Sequence, residues 1–546
     1  MQKIGKVSAT EKNPTSCDEF IFWLDQNVEV KPFDIITVEN NIASKKTKTF
    51  GIIKEVEHIT DSTGHLTSYI SSDFGDVSSE PLTNRIGVTY AKVEVISNDH
   101  EVFMPLRDGQ PVYFATKEDI SKALGLDNIK NPIPAGYIQT TNGLTVPISV
   151  NKDFLLGKEG AHVNISGISG LATKTSYAMF LLQAIQQKSE DTAFIILNVK
   201  GSDLLNIDMP VHPGDHREDE WSSMGLEFKP FENVTYYYPY TNSQSRKYAN
   251  SAANTETLTR QHEAGILKNY TYTYDENKSN IDLLFSNIDD PNFTIESILN
   301  FISEHKDFDD IDWDDLKQLL KEKYTQSGGS SNKDIPVVSW RKFSRLLKKS
   351  VDNEIFINAL ASGSERKQCS LANELQSIQN NEIHVIDIAK IDEQLQSFVF
   401  GDVLKSIYDL KFGDTERETN TIPKRIVIFV DELNKYAAST SPKNSPLLRY
   451  LLEITERGRS DGIILFSAQQ FKSAIHDRVK GNCSTNVFGR TNSIETSKPD
   501  YRYLPKVYSN MMTRLRKGEL IIQHPIFTTP LKISFPKESY LQGDDN

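Results

Sequence analysis

A series of short, continuous apolar runs separated by longer helical stretches most tightly limits what this chain can fold into. The runs are His162–Ser166, Ala193–Val199, Val234–Tyr238, Ile383–Ile388, Arg425–Val430 and Gly462–Ala468. A strand with one wet face alternates apolar and polar residues, whereas a strand apolar along its whole length is covered on both faces. Helices between such strands supply that cover in an α/β fold, so the chain from about Tyr137 onward predicts a mainly parallel sheet wrapped by helices.

The first 125 residues have a different texture. Glu19–Leu24, Asp34–Val38, Thr49–Val56 and Ala91–Ile96 alternate or are β-branched, with Asn, Asp, Ser and Gly between them. They predict short strands of a small barrel or meander over residues 1–125, and the polar segment Asp127–Pro134 reads as a linker. The α/β rhythm lapses between about Ala249 and Asn380, where a charged, helical insertion is expected over 249–380. It carries the acidic run DFDDIDWDD (Asp307–Asp315), the Ser/Gly stretch Ser327–Ser331 and the basic helix Trp340–Lys349. Arg341, Lys342, Arg345, Lys348 and Lys349 fall at helical spacing and read as a solvated face balancing the acidic run, with a basic lining for nucleic acid as the alternative. The core is then 126–248 joined to 381–546.

Composition removes some functional classes. No run of about 18 apolar residues occurs, so no membrane-spanning helix and no membrane partner are expected. The opening MQKIGKVSAT lacks the basic and apolar regions of a secretory signal. Cys17, Cys369 and Cys483 lie far apart, with no pair at metal-ligand spacing, which suits unpaired thiols in a reducing, cytoplasmic setting. A net charge of −13 excludes a protein that coats nucleic acid over its whole surface, but leaves room for a local basic lining.

The densest local signal is HVNISGISGLATKTSYAMFLLQ, His162–Gln183. A strand, a glycine-rich turn and Lys-Thr opening a helix are the parts of a phosphate-binding loop. Backbone N–H groups of the turn and helix N-terminus face the anion, Lys174 reaches the outer phosphates, and the Thr175 hydroxyl ligates Mg²⁺. The cradle comprises Gly167, Ser169, Gly170, Ala172, Thr173, Lys174, Thr175 and Ser176. The loop departs from the standard pattern: Thr173 stands where glycine precedes the lysine, and counted from Gly167 it is one residue longer.

KRIVIFVDELN, Lys424–Asn434, delivers two adjacent carboxylates at the tip of a buried strand. Asp431 is placed to hold the metal and Glu432 to polarise or deprotonate an attacking water. A strand followed by an acidic helix start is the structural alternative. GIILFSAQQ, Gly462–Gln470, is a further buried strand with a polar end, and Gln469 is placed either to sense the γ-phosphate or to serve as a capping glutamine. In ERGRSDG, Arg457 and Arg459 lie at a helix end, where they serve either as solvated dipole partners or as fingers completing a neighbouring subunit's site. Arg490, in NVFGRT, is a weaker candidate for the finger role.

An N-terminal small barrel followed by GISGLATKTS, IVIFVDELNKYA, ERGRSDG and FSAQQ resembles bacterial HerA-like ATPases of the HerA/FtsK superfamily, over most of the chain. The resemblance implies a RecA-like P-loop ATPase core with a mainly parallel sheet, preceded by the barrel and interrupted by the helical insertion. It also implies ATP and Mg²⁺ as cofactors, a hexameric ring around duplex DNA, and translocation driven by hydrolysis. The roles carried over are phosphate binding for Lys174, metal for Thr175 and Asp431, base for Glu432, sensor for Gln469 and finger for Arg459. A nuclease or sirtuin-like effector in antiphage defence is the implied partner, and the barrel is the implied assembly domain. Where relatives have an acidic strand end, this chain has Asn198-Val199-Lys200-Gly201, and no catalytic role is assigned there. The competing expectation is an ATP-stabilised ring scaffold that arrays an effector with little translocation; a metabolic P-loop kinase fits poorly, since it needs neither barrel nor inter-subunit arginine.

Overall fold

Alternation in EFIFWL turns Phe20, Phe22 and Leu24 inward, while Glu19 and Trp23 stay exposed, and this pattern closes the N-terminal region into a barrel. The computed structural model describes residues 2–42, 45–79, 86–170, 173–211, 218–325, 335–360, 366–413 and 421–543. Strands β1 (Lys3–Ser8), β2 (Glu19–Leu24), β3 (Ile35–Ile42), β4 (Lys45–Thr60), β5 (Gly87–Asn98) and β6 (Pro111–Phe114) close in the order β1-β2-β5-β4-β3-β6. Ile4, Val7, Phe20, Phe22, Val38, Val93 and Val112 fill the interior. The barrel has two further strands, β1 (KIGKVS) and β6 (PVYF), beyond those named from the sequence. Phe33, Ile35, Phe50 and Ile52 pack outward, into the same cluster as the core sheet.

The core is one 13-stranded sheet. Its strands are β7 (Pro132–Gln139), β8 (Thr145–Asn151), β9 (Val163–Ser166), β10 (Thr192–Asn198), β11 (Val234–Pro239), β12 (Leu267–Thr271), β13 (Gln368–Ser370), β14 (Ile383–Asp387), β15 (Arg425–Asp431), β16 (Ile463–Gln469), β17 (Thr485–Phe488), β18 (Glu519–Gln523) and β19 (Leu531–Ser534). They lie in the order β13-β12-β11-β14-β10-β15-β16-β9-β17-β18-β19-β7-β8. Pairing is parallel from β13 through β17 and antiparallel beyond it. The expected apolar runs all appear as strands, for the reason anticipated: both sheet faces are buried. In β10, Phe194 and Ile196 enter one hydrophobic cluster, and Ala193, Ile195 and Leu197 enter the other.

The expected linker is a correction. Pro132 and Pro134 belong to β7, which pairs with β8 through a register shift between Pro134 and Gly136. Gly136 has φ +133°, and a side chain there would run into the Ser534 carbonyl. Two prolines, at the first residue and at the bulge, and a bulge glycine thus hid a strand.

Within 249–380, helices Thr255–Glu263, Thr294–Glu304, Trp313–Thr325 and Val337–Val351 dominate, while β12 and β13 extend the sheet. The acidic run has a structural use. Asp312 accepts the backbone N–H groups of Asp314 and Asp315 at 2.8 and 2.9 Å, capping the helix that buries Trp313. In Val337–Val351, Trp340, Phe343 and Leu347 face inward, whereas Arg341, Lys342, Arg345, Lys348 and Lys349 are exposed, as a solvated face requires. The Ser327–Ser331 stretch lies outside the described residues. Among the described residues no helix is long and apolar enough to cross a membrane.

Two buried histidines make the core acid-sensitive. His162 Nδ1 accepts the Leu465 N–H at 2.9 Å, and His524 Nδ1 meets Thr485 Oγ1 at 2.7 Å. Burial lowers both from 6.5 to about 4. The unfolded chain therefore binds protons that the folded chain refuses. Their stabilising contribution is present above pH 6.5 and is lost as pH falls towards 4, by up to ~3 kcal/mol each. Thermal midpoints measured across this window should drop, and His162→Asn should flatten part of that drop; an unaltered pH slope in the variant would contradict the assignment.

Candidate functional site

In a parallel sheet every strand's C-terminal end reaches the same edge, and there loops can gather groups distant in sequence. Ser166, Asn198, Asp387, Asp431 and Gln469 end β9, β10, β14, β15 and β16 on that edge. β16 lies between β9 and β15, so the end of the phosphate-loop strand and the end of the acidic strand flank the Gln469 strand.

The loop after β9 is pinned by backbone bonds. Gly167 N–H donates to the Gln469 carbonyl at 3.2 Å and Ile168 N–H to the Arg490 carbonyl at 2.8 Å. Gly170 and Thr173 have φ of +76° and +46°, and Thr173 stands directly before helix Lys174–Lys188. A left-handed threonine is strained, and this is the place where the usual pattern has glycine. Gly167 is buried, and Ser169 and Gly170 are exposed. Ser176 accepts from Gln542 Nε2 at 3.4 Å. Ala172 lies outside the described residues.

Lys174 is buried, with Nζ donating to the Gly167 carbonyl at 2.9 Å. Burial lowers its pKa, and the charge of Lys200 lowers it further, against the pull of Asp431 and Glu432. Thr175 Oγ1 donates to Asp431 Oδ2 at 3.1 Å. Both carboxylates are buried. Asp431 Oδ1 accepts the Glu432 N–H at 2.9 Å, and Glu432 is held at φ +57°, a left-handed conformation that turns the chain sharply after β15.

Sequence reasoning missed Lys200. Its Nζ lies 3.3 Å from Asp431 Oδ2 and 3.3 Å from Glu432 Oε1. Burial alone would lower its pKa, but attraction to and hydrogen bonds with the two carboxylates raise it overall. The position that was given no role is thus a charged member of the site. The available signal was a lysine directly after a buried strand in NVKG, but its target depends on β10 lying beside β15.

The two glutamines at the end of β16 separate. Gln469 is fully buried and holds the loop through its carbonyl, and among the described residues neither side-chain amide atom has a hydrogen-bond partner. Gln470 Nε2 instead donates to Glu432 Oε1 at 3.4 Å. The structure therefore brings Gln470 against the acidic pair.

The arginines are not gathered here. Arg457 ends helix Pro446–Arg457, exposed and paired with Glu453 at 3.2 Å. Arg459 is exposed in the turn Gly458–Asp461. Both precede β16, so they stand at the opposite sheet edge, roughly 20 Å from Gln469 along a seven-residue strand. The Arg490 backbone lies beside its own chain's loop.

The donor set fits a magnesium-bound nucleoside triphosphate. A hydroxyl and a carboxylate 3.1 Å apart suit a small hard cation that takes its remaining oxygens from phosphates and water. Among the described residues no group of three or more His, Cys, Asp or Glu could hold a metal unaided. Two lysines and a helix N-terminus supply the positive field for phosphates.

No family model and no curated protein matches the chain. Among solved structures, the bacterial conjugative coupling protein TrwB is similar at 11% identity and TM-score 0.40, over 75% of this chain and 92% of that one. VirB4 of Thermoanaerobacter pseudethanolicus is similar at 13% and 0.42, over 75% and 97%. The genome packaging NTPase B204 from Sulfolobus turreted icosahedral virus 2 is similar at 11% and 0.23, over 31% and 74%. Likeness at this level carries no functional argument.

If Lys174 carries the phosphate contact, Lys174→Ala should weaken binding of a fluorescent ATP analogue by about 10- to 100-fold, the loss of one charge-assisted bond. An unchanged Kd would remove the loop from the site.

Proposed function

We propose that this chain is a P-loop ATPase that hydrolyses ATP with Mg²⁺ at the edge formed by β9, β15 and β16. The observation that carries this reading is the meeting of Thr175 Oγ1 with Asp431 Oδ2 at 3.1 Å, which joins the phosphate-loop helix to the acidic strand tip. The loop backbone and Lys174 hold the outer phosphates, and Thr175 and Asp431 hold the cation. Bound Mg²⁺ would neutralise charge on the transferring phosphoryl group. Glu432, buried and adjacent, takes the proton of the attacking water. Gln470, in contact with Glu432, orients that water and senses the γ-phosphate, the role first sought at Gln469.

Carried further on the family resemblance, copies of the chain form a hexameric ring that translocates duplex DNA and works with a nuclease or sirtuin-like effector in antiphage defence. The organisation behind this is a barrel over 1–125 for assembly, a core over 126–248 and 381–546, and an insertion over 249–380. The alternative, a ring scaffold with slow turnover, is favoured by one observation: Lys200 already pairs with both acidic groups.

ATP hydrolysis by the purified protein, with and without linear duplex DNA, tests the proposal. Glu432→Gln should bind ATP yet lose turnover by about 10²- to 10⁴-fold, the usual contribution of a general base. Stimulation by DNA supports a motor, and turnover indifferent to DNA supports the scaffold. Near-normal turnover in Glu432→Gln would place the base elsewhere.

Arg459 calls for a second measurement, because its own site is out of reach. Arg459→Ala and Lys174→Ala should each be inactive alone, and mixing them should restore part of the activity at interfaces pairing an intact loop with an intact arginine. No recovery at any ratio would count against action in trans.

A further inference from the structure

Lys200 and Thr175 converge on a single oxygen. Asp431 Oδ2 accepts Thr175 Oγ1 at 3.1 Å and lies 3.3 Å from the Lys200 ammonium. A cation bound by Thr175 and Asp431 would draw on that same oxygen, so ammonium and metal would contend for it.

The lysine is held there by a built support. Gly201, in the turn that follows it, has φ +62°, and its carbonyl accepts Asn198 Nδ2 at 2.9 Å. The same amide nitrogen donates to Asp387 Oδ1 at 2.8 Å. Asp387 is fully buried and also accepts Ser251 Oγ at 2.6 Å and the Ala389 N–H at 3.1 Å. The turn presenting Lys200 is thus fixed by a chain of hydrogen bonds reaching back into the sheet, while the Lys200 side chain itself is half exposed.

We infer that Lys200 is the site's resident cation: its ammonium, bridging Asp431 and Glu432, takes the Asp431 oxygen that the metal needs, and yields it only when the metal arrives with nucleotide. This inference rests on the ATPase reading above. A divalent ion alone must displace a fixed positive charge and leave it close by, where like charges repel. A nucleotide brings phosphate oxygens that accept the displaced ammonium, so metal and nucleotide enter together. Lys200 acts as a positioning residue in this scheme, since it controls when Asp431 and Glu432 become available.

The test is a titration of Mn²⁺ alone, without nucleotide, followed by electron paramagnetic resonance of the free ion. Wild type should bind Mn²⁺ weakly at this site. Lys200→Met should bind it at least about tenfold more tightly, and adding Asp431→Asn to Lys200→Met should abolish the gain and locate the ion. Lys200→Arg, which keeps the charge, should stay near wild type. Lys200→Gln is the alternative neutral variant should the methionine fail to fold. Equal Mn²⁺ affinity in wild type and neutral variants, or a gain that survives Asp431→Asn, would overturn the inference. Binding of a fluorescent ATP analogue, measured separately, keeps the two readings apart. If wild type binds the analogue and the Mn²⁺ affinities are equal, the inference alone fails. If wild type binds no nucleotide, the ATPase reading fails, and a tenfold gain in Lys200→Met would still establish the ammonium as the occupant of a cation position.

Discussion

The site turns on one buried carboxylate. Asp431 sits at the end of a strand covered on both faces, where an uncompensated charge would cost several kcal/mol. It is compensated on all sides: the Glu432 N–H on one oxygen, the Thr175 hydroxyl and the Lys200 ammonium on the other. Each donor belongs to a different part of the chain. Thr175 opens the phosphate-loop helix, Lys200 follows β10, and Glu432 leads out of β15. Satisfying one anion therefore fixes the relative placement of the loop, the acidic tip and the neighbouring strand end.

Strain is concentrated at the same edge. Thr173 and Glu432 both adopt left-handed backbone without being glycine, at about 1–3 kcal/mol each. Thr173 lets the loop enter the helix so that Lys174 turns back over the Gly167 carbonyl. Glu432 brings its side chain within reach of Lys200 and Gln470 rather than continuing along β15. Such conformations persist only where surrounding contacts over-determine them. Here those contacts are the ion pairs and the bonds that tie the loop to Gln469 and Arg490.

Much of this was legible in the sequence, and the boundary has a physical basis. Arg425–Val430 and Ala193–Val199 announced themselves because burial on both faces forbids polar residues, and Asp431-Glu432 stood out at the end of such a run. Lys200 did not, because its partner lies 232 residues away and the contact exists only through the adjacency of β10 and β15. Lateral strand order leaves no local trace. Gln469 and Gln470 were indistinguishable as letters: strand alternation puts successive side chains on opposite faces, and only the observed register shows which one meets Glu432. β7 was lost because its prolines and glycine are the residues that usually end strands, tolerated here at an antiparallel margin.

The placement of the arginines follows from the same parallel geometry. A residue just before a strand and a residue just after it stand at opposite edges of the sheet, and no side chain spans the length of β16. Arg457 and Arg459 therefore cannot stabilise charge at their own chain's phosphate loop, whereas Lys174 and Lys200 already reach its acidic partners. Positive charge from this chain reaches the site through Lys174 and Lys200 alone among these four residues. Under the proposal that Arg459 acts in trans, another copy would have to turn its opposite sheet edge towards this one, and such a head-to-tail contact closes into a ring only if its rotation does. On that reading, the position of two arginines ahead of one strand would tie the chemistry of the site to assembly.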